Sequence, residues 1–302
     1  MARRLTIGRM FTSPPTLWNR GWTGCALASL AVLGILSTPV VSESPAAPQE
    51  TTELLASFKK TTFTTPDGKR MNCYRRMGKG PALVLVPGTW GDVHRFTPLI
   101  AELPKSLPIV VIELCWQGGQ LPPSLDLSIE QLADDVLWVL AALELKRFHI
   151  GGHSIGGMIT VEIVGRTVPG LAGGIPLEGW THHTVVKTAF GGEVVGKLTS
   201  AQEAQRRAGR ARGRGHLSEK QIQAIGTLWR RWNGFSCLER SRVPVLHVWG
   251  DRGKPRPKRE VLQIPDRPSI EITWIAGASH LLVLESPKAV AKVVSAFIQR
   301  HP

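Results

Sequence analysis

The chain carries four cysteines, and no two of them stand in a Cys-x-x-Cys spacing. Cys25 falls in an apolar leader, which leaves Cys73, Cys115 and Cys237, an odd number. That excludes a disulfide framework and a thiolate zinc site, and the three read as buried thiols. His182-His183 has neither the spacing nor the partner carboxylates of a metal site, so no metal and no cofactor is expected. Acidic residues are also short, 23 Asp and Glu against 37 Lys and Arg, a net charge of +14. Such a balance points to anionic partners: nucleic acid, a membrane surface or acidic substrates. The densest basic run, Arg206 to Gly215, contains no aromatic residue on which a base could stack. Nucleic acid is therefore not the expected partner, and the run reads as a flexible basic loop able to meet anionic lipid. No internal repeat is present.

Long apolar runs are absent except at one place. Residues 1–22 contain Arg3, Arg4, Arg9 and Arg20 and no acid; Gly24 to Leu36 is then apolar, followed by small residues at Thr38-Pro39-Val40-Val41-Ser42. This is the pattern of a signal peptide or, extended to Val41, of an N-terminal membrane anchor over residues 1–42. Either places the rest of the chain outside the cytoplasm, as a periplasmic, extracellular or membrane-anchored domain. No cysteine closes the run, so a lipoprotein is not expected. Residues 43–57, rich in Ser, Pro, Ala, Gln and Glu, read as a disordered spacer.

The folded domain is expected over 58–302. Thr61–Thr65 and Asn72–Met77 flank Pro66-Asp67-Gly68 and read as a hairpin. Ala82–Val86 and Ile109–Ile112 are continuous apolar runs, as strands buried on both faces should be. Ser128 caps a helix running to Leu145, with Leu132, Val136, Val139, Leu140 and Leu143 on one face. Further strands are expected at Ala172–Leu177, Val243–Trp249 and Ile270–Ile275, and a closing helix at Pro287–Gln299. Between them, residues 181–242 hold twelve Lys and Arg against four acids, with helical patterning and no buried strand. This stretch reads as a helical cap inserted between two core strands. Alternating strands and helices define an α/β fold, a mostly parallel central sheet with helices on both faces.

Phe148-His149-Ile150-Gly151-Gly152-His153-Ser154-Ile155-Gly156-Gly157 is where chemistry concentrates. An apolar strand meets an amphipathic helix through Gly152-x-Ser154-x-Gly156. A serine on such a turn is held in a strained conformation, and the residues two before and two after it approach too closely for a Cβ. The helix N-terminus behind it offers free N–H groups to a developing oxyanion.

Four stretches together resemble the α/β-hydrolase fold superfamily: Val86-Pro87-Gly88-Thr89-Trp90, Gly152-His153-Ser154-Ile155-Gly156, Trp249-Gly250-Asp251, and Gly277-Ala278-Ser279-His280 followed by Glu285-Ser286-Pro287. The resemblance spans about 58 to 302. It implies Ser154 as nucleophile, His280 as the base, and the backbone N–H groups of Thr89 and Ile155 as oxyanion donors. The chain departs from the superfamily's Gly-x-x-Asp pattern after the penultimate strand, where Gly253 stands in place of the acid. Glu178, after the strand that follows the elbow, is the favoured replacement, with Asp251 as the alternative acid. A second departure puts Trp116 where a glycine is common, which should narrow the pocket mouth. Trp90, Trp116 and Trp180 all follow strand ends, where three indoles either line an apolar substrate pocket or pack the cap onto the core.

The resemblance implies a serine hydrolase that cleaves a small-molecule ester, or a lactone or amide, through an acyl-enzyme. Serine as nucleophile argues against dehalogenase and epoxide-hydrolase chemistry, which need a carboxylate there. A cofactor-free haloperoxidase or a C–C hydrolase stays open, as does a non-catalytic binding protein on the same fold. The basic loop Lys254, Arg256, Lys258 and Arg259 would steer anionic substrates.

Overall fold

The computed structural model describes residues 49–302. The leader and the first part of the spacer lie outside the described residues. The end of that spacer is a helix, α1 (Gln49–Ala56). Leu54 and Leu55 pack against the core, a contact that the polar composition around them conceals.

The sheet contains eight strands: β1 (Lys59–Thr64), β2 (Arg70–Arg76), β3 (Ala82–Val86), β4 (Ile109–Ile112), β5 (Phe148–His153), β6 (Leu171–Leu177), β7 (Val245–Gly250) and β8 (Ile270–Ile275), in the spatial order β1-β2-β4-β3-β5-β6-β7-β8. The first hairpin is antiparallel and so is its junction with β4. From β4 to β8 every pairing is parallel.

Side chains alternate across each strand, and this sorts the core into two layers. Val84, Val86, Val110, Ile112 and Ile150 face α3 (Ile129–Ala142) and α4 (Ile155–Val164). Leu83, Leu85, Ile109 and Val111 face α2 (Thr97–Glu102) and the last helix, Pro287–Arg300. The helix at 129–142 starts where the sequence says. Ser128 Oγ accepts from Gln131 N, and Ser128 N donates to the Gln131 side chain.

Between β6 and β7 the chain forms helices, α5 (Val185–Phe190), α6 (Ser200–Arg214), α7 (Glu219–Thr227), a short 3-10 turn at Leu228–Arg231, and α8 (Phe235–Arg240), with one isolated antiparallel bridge between His182 and Asn233. The arginine-glycine run, expected to be a loop, lies mostly in α6. A Thr199–Gln202 capping box starts that helix. Its Gly209 and Gly213, one turn apart, are buried. A Cβ on Gly213 would fall 2.5 Å from the Trp90 carbonyl oxygen, so glycine here lets α6 lie directly on the loop after β3. After β8 come α9 (Leu282–Glu285) and α10 (Pro287–Arg300). Among the described residues, no helix is long and apolar enough to cross a membrane. Cys73, Cys115 and Cys237 are free and buried, as expected.

Two core histidines make the fold acid-sensitive. His149 and His247 are fully buried, and neither ring nitrogen of His247 has a hydrogen-bond partner. Burial pulls the pKa of His149 down to about 4 and that of His247 to about 3. Both lie below the unfolded value near 6.5, so the unfolded chain takes up protons first as pH falls. Stability is then complete above about pH 6.5 and is lost toward pH 3–4, by on the order of 2 kcal/mol per histidine at pH 5. Thermal melts between pH 7.5 and 5 should show a falling Tm that His247→Leu partly flattens. An unchanged slope in that variant would mean the charged ring is tolerated.

Candidate active site

Parallel strands deliver their C-terminal ends to one edge, and the central strand order reverses between β3 and β5. The chemistry-bearing loops collect at that edge: Gly88–Trp90 after β3, Ser154 after β5, Glu178 after β6, Arg252 after β7 and His280 after β8.

Ser154 has φ 58° and ψ −118°, the strained conformation expected of an elbow. Its flanking glycines are sterically required. A Cβ on Gly152 would lie 2.3 Å from the Gly156 backbone, and one on Gly156 would lie 2.0 Å from the Val86 carbonyl oxygen. Ser154 N donates to Leu177 O, tying the elbow to β6. Ile155 opens α4, so its N–H has no acceptor within the helix.

The loop after β3 is braced from behind. Gln117 Nε2 donates to Gly88 O at 2.7 Å, and Trp116 Nε1 donates to Thr89 O at 2.9 Å. In a trans peptide the N–H points opposite to the carbonyl. Holding Gly88 O toward Gln117 therefore turns the Thr89 N–H away from Gln117, and Thr89 lines the cavity. This corrects the expectation for Trp116. It is fully buried and does not line the cavity, because its indole N–H is spent on that loop. Trp90 and Trp180 do line the cavity, together with Trp229, which packs edge-on to Trp180 at 5.4 Å.

His280 is fixed on several sides. Its N–H donates to Val194 O in the helical insertion, and its carbonyl accepts from His153 Nε2 at 2.6 Å. The ring lies between Trp180 at 4.9 Å and His153 at 4.8 Å between centroids. Nδ1 sits 3.2 Å from Glu178 Oε2. Donation from Nδ1 to the carboxylate selects the tautomer with a free lone pair on Nε2. Burial, and then repulsion from His280, pushes the pKa of His153 far below the usual histidine value, so it stays neutral.

Glu178 is fully buried, at φ 50°. Its Oε1 accepts from Gly250 N at 2.8 Å. Arg252 grips both oxygens, Nη1 to Oε1 and Nη2 to Oε2, each at 2.8 Å. Burial alone would raise the Glu178 pKa; the bonds from Arg252 and then His280 outweigh it and bring it down to about 2. The Arg252 side chain is only 2% exposed and lies over the Phe190 ring, 3.7 Å from its centroid. Asp251, the alternative acid, is occupied elsewhere. Its Oδ1 accepts from Gly253 N and Gly277 N, and Arg256 lies 3.6 Å from its other oxygen. It makes no hydrogen bond to His280. Sequence reasoning missed Arg252, although an arginine two residues past the strand, where the usual acid is lacking, was a usable signal.

A sequence profile of the Alpha/beta hydrolase family matches residues 83–293, and the chain belongs to that family. It is a hydrolase. An uncharacterized protein of Mycobacterium tuberculosis is 24% identical over 280 residues, covering 78% of this chain and 80% of that one. N-formylmaleamate deformylase of Pseudomonas putida is 30% identical over 124 residues, 39% of this chain and 44% of the deformylase. Among solved structures, the enol-lactonase of Burkholderia xenovorans LB400 shares the fold with a TM-score of 0.62 at 18% identity, covering 79% of this chain and 100% of the lactonase.

Proposed function

We propose that this hydrolase cleaves a carboxylic ester, or a related lactone or amide, through an acyl-enzyme on Ser154. The observation that carries this reading is a strained Ser154 and His280 lining one cavity, with the buried Glu178 carboxylate bound to His280 Nδ1. Ser154 Oγ attacks the substrate carbonyl carbon, and its proton passes to His280 Nε2. Glu178 keeps its charge and stabilises the imidazolium through Nδ1–H. The N–H groups of Thr89 and Ile155 hold the oxyanion. Collapse expels the alcohol or amine, which takes the proton from Nε2. Water then repeats the sequence and releases the acid from Ser154. No cofactor enters these steps. The likeness to a deformylase and to a lactonase supports acyl substrates beyond simple esters.

Intact-mass analysis after a fluorophosphonate probe tests this directly. One adduct is expected on the wild type and none on Ser154→Ala. A folded wild type that takes up no probe would leave Ser154 unactivated and overturn the reading.

A further inference from the structure

The cavity in front of Ser154 is small, about 270 Å³, and one wall is cationic. Arg95 reaches it from the segment after β3, and Arg206 and Arg210 reach it from α6. Nearby acids account for only part of this charge. Glu203 holds Arg206 through two hydrogen bonds, at 2.7 and 2.6 Å. Asp92 holds Arg212 at 2.7 Å. Among the described residues, neither Arg95 nor Arg210 has a carboxylate partner or any side-chain hydrogen bond.

Arg95 is mostly buried, and a Cβ on Gly209 would sit 3.7 Å from its Nη2, so the guanidinium runs under α6. Burial pulls its pKa down, and although Asp92 opposes this, Arg212, Arg206 and Arg210 add to the fall. Asp92 and Glu203 lie near enough to temper these charges, but each is paired with another arginine, so an anion entering the cavity would find two guanidinium groups with free donors. A guanidinium presents donors in a fork that fits carboxylate geometry, and its bonds to an ionised acceptor are about twice as strong as neutral ones. The basic loop past Asp251, which the sequence favoured for steering, is a weaker candidate. Lys254 pairs with Glu193, Arg256 with Asp251 and Arg259 with Asp266.

We propose that Arg95 and Arg210 form a subsite for a carboxylate carried by the substrate, so that this enzyme acts on half-esters or half-amides of small dicarboxylic acids in preference to neutral acyl compounds. The inference rests on the Ser154 acyl-enzyme reading for its reaction, and on the arginine wall alone for its ligand. Trp180, Trp229 and Val194 would enclose the short apolar link between the reacting carbonyl and the carboxylate.

The test compares 4-nitrophenyl hemiglutarate with 4-nitrophenyl butyrate, which differ chiefly by the terminal carboxylate. Wild-type kcat/KM should favour the hemiglutarate by about 10- to 100-fold, and Arg95→Gln should bring the ratio close to one. Equal wild-type values, or a ratio unmoved in Arg95→Gln and Arg210→Gln alike, would overturn the proposal. Calorimetric binding of free glutarate to Ser154→Ala separates the two readings. Glutarate bound there, and lost on adding Arg95→Gln, supports the subsite even if the fluorophosphonate probe fails. A wild type that takes up the probe, with no glutarate bound to Ser154→Ala, removes the subsite and leaves the acyl-enzyme reading intact.

Discussion

Glu178→Gln should lower kcat by about 10³- to 10⁴-fold while leaving the cavity's shape unchanged. The amide is nearly isosteric with the carboxylate but cannot stabilise an imidazolium, and its NH₂ can turn toward His280 Nδ1 and favour the wrong tautomer. Asp251→Asn is the matching control and should retain most turnover, because that carboxylate serves the backbone of Gly253 and Gly277. Steady-state kinetics on the two purified variants decides between them. A collapse of kcat in Asp251→Asn, with Glu178→Gln close to wild type, would transfer the acid's role to Asp251.

Removing Arg252 should be the most destabilising change in the site. Arg252→Met leaves Glu178 charged and fully buried, with its two guanidinium bonds gone. Breaking one side of a buried pair costs about 3–5 kcal/mol, since the remaining charge stays desolvated. The methionine retains part of the packing over Phe190, so the loss is chiefly electrostatic. Glu178→Gln should destabilise for the mirror-image reason, leaving the buried guanidinium without a countercharge. The double variant is the informative one. With both charges removed, stability should recover above the sum of the single losses, while kcat stays as low as in Glu178→Gln alone. Urea melts of the four proteins measure this cycle. Strict additivity would show that Arg252 and Glu178 do not act as a unit.

In the proposed mechanism Glu178, held by Arg252, takes the place of the acid expected at position 253. In the strand order, β6 lies between β5 and β7, so a carboxylate at its end reaches the histidine loop beyond β8. Such a carboxylate is deeper than one on the loop after β7, and Arg252 from that loop, at φ 56°, turns inward to balance it.

Much of this was legible without coordinates. The buried runs at 82–86 and 109–112 specify parallel strands, because only strands covered on both faces can be apolar throughout. Gly152 and Gly156 mark the elbow, because a Cβ on either would fall only 2.0–2.3 Å from neighbouring backbone atoms. The Ser128 capping box fixes the start of α3 from local chemistry alone.

Tertiary structure decided what depends on contacts distant in sequence. Trp116 and Trp180 look alike along the chain, each after a strand. Only the fold turns one to brace the Thr89 carbonyl and the other to lie against the His280 ring. Arginine-glycine composition suggests a loop, yet Gly209 and Gly213 serve as the flat face on which α6 settles against Trp90 and Arg95. Periodicity and turn chemistry are local and can be read from the residues themselves. Which cation meets a carboxylate, and which is left facing the cavity, is fixed by distances across the fold that the order of residues does not contain.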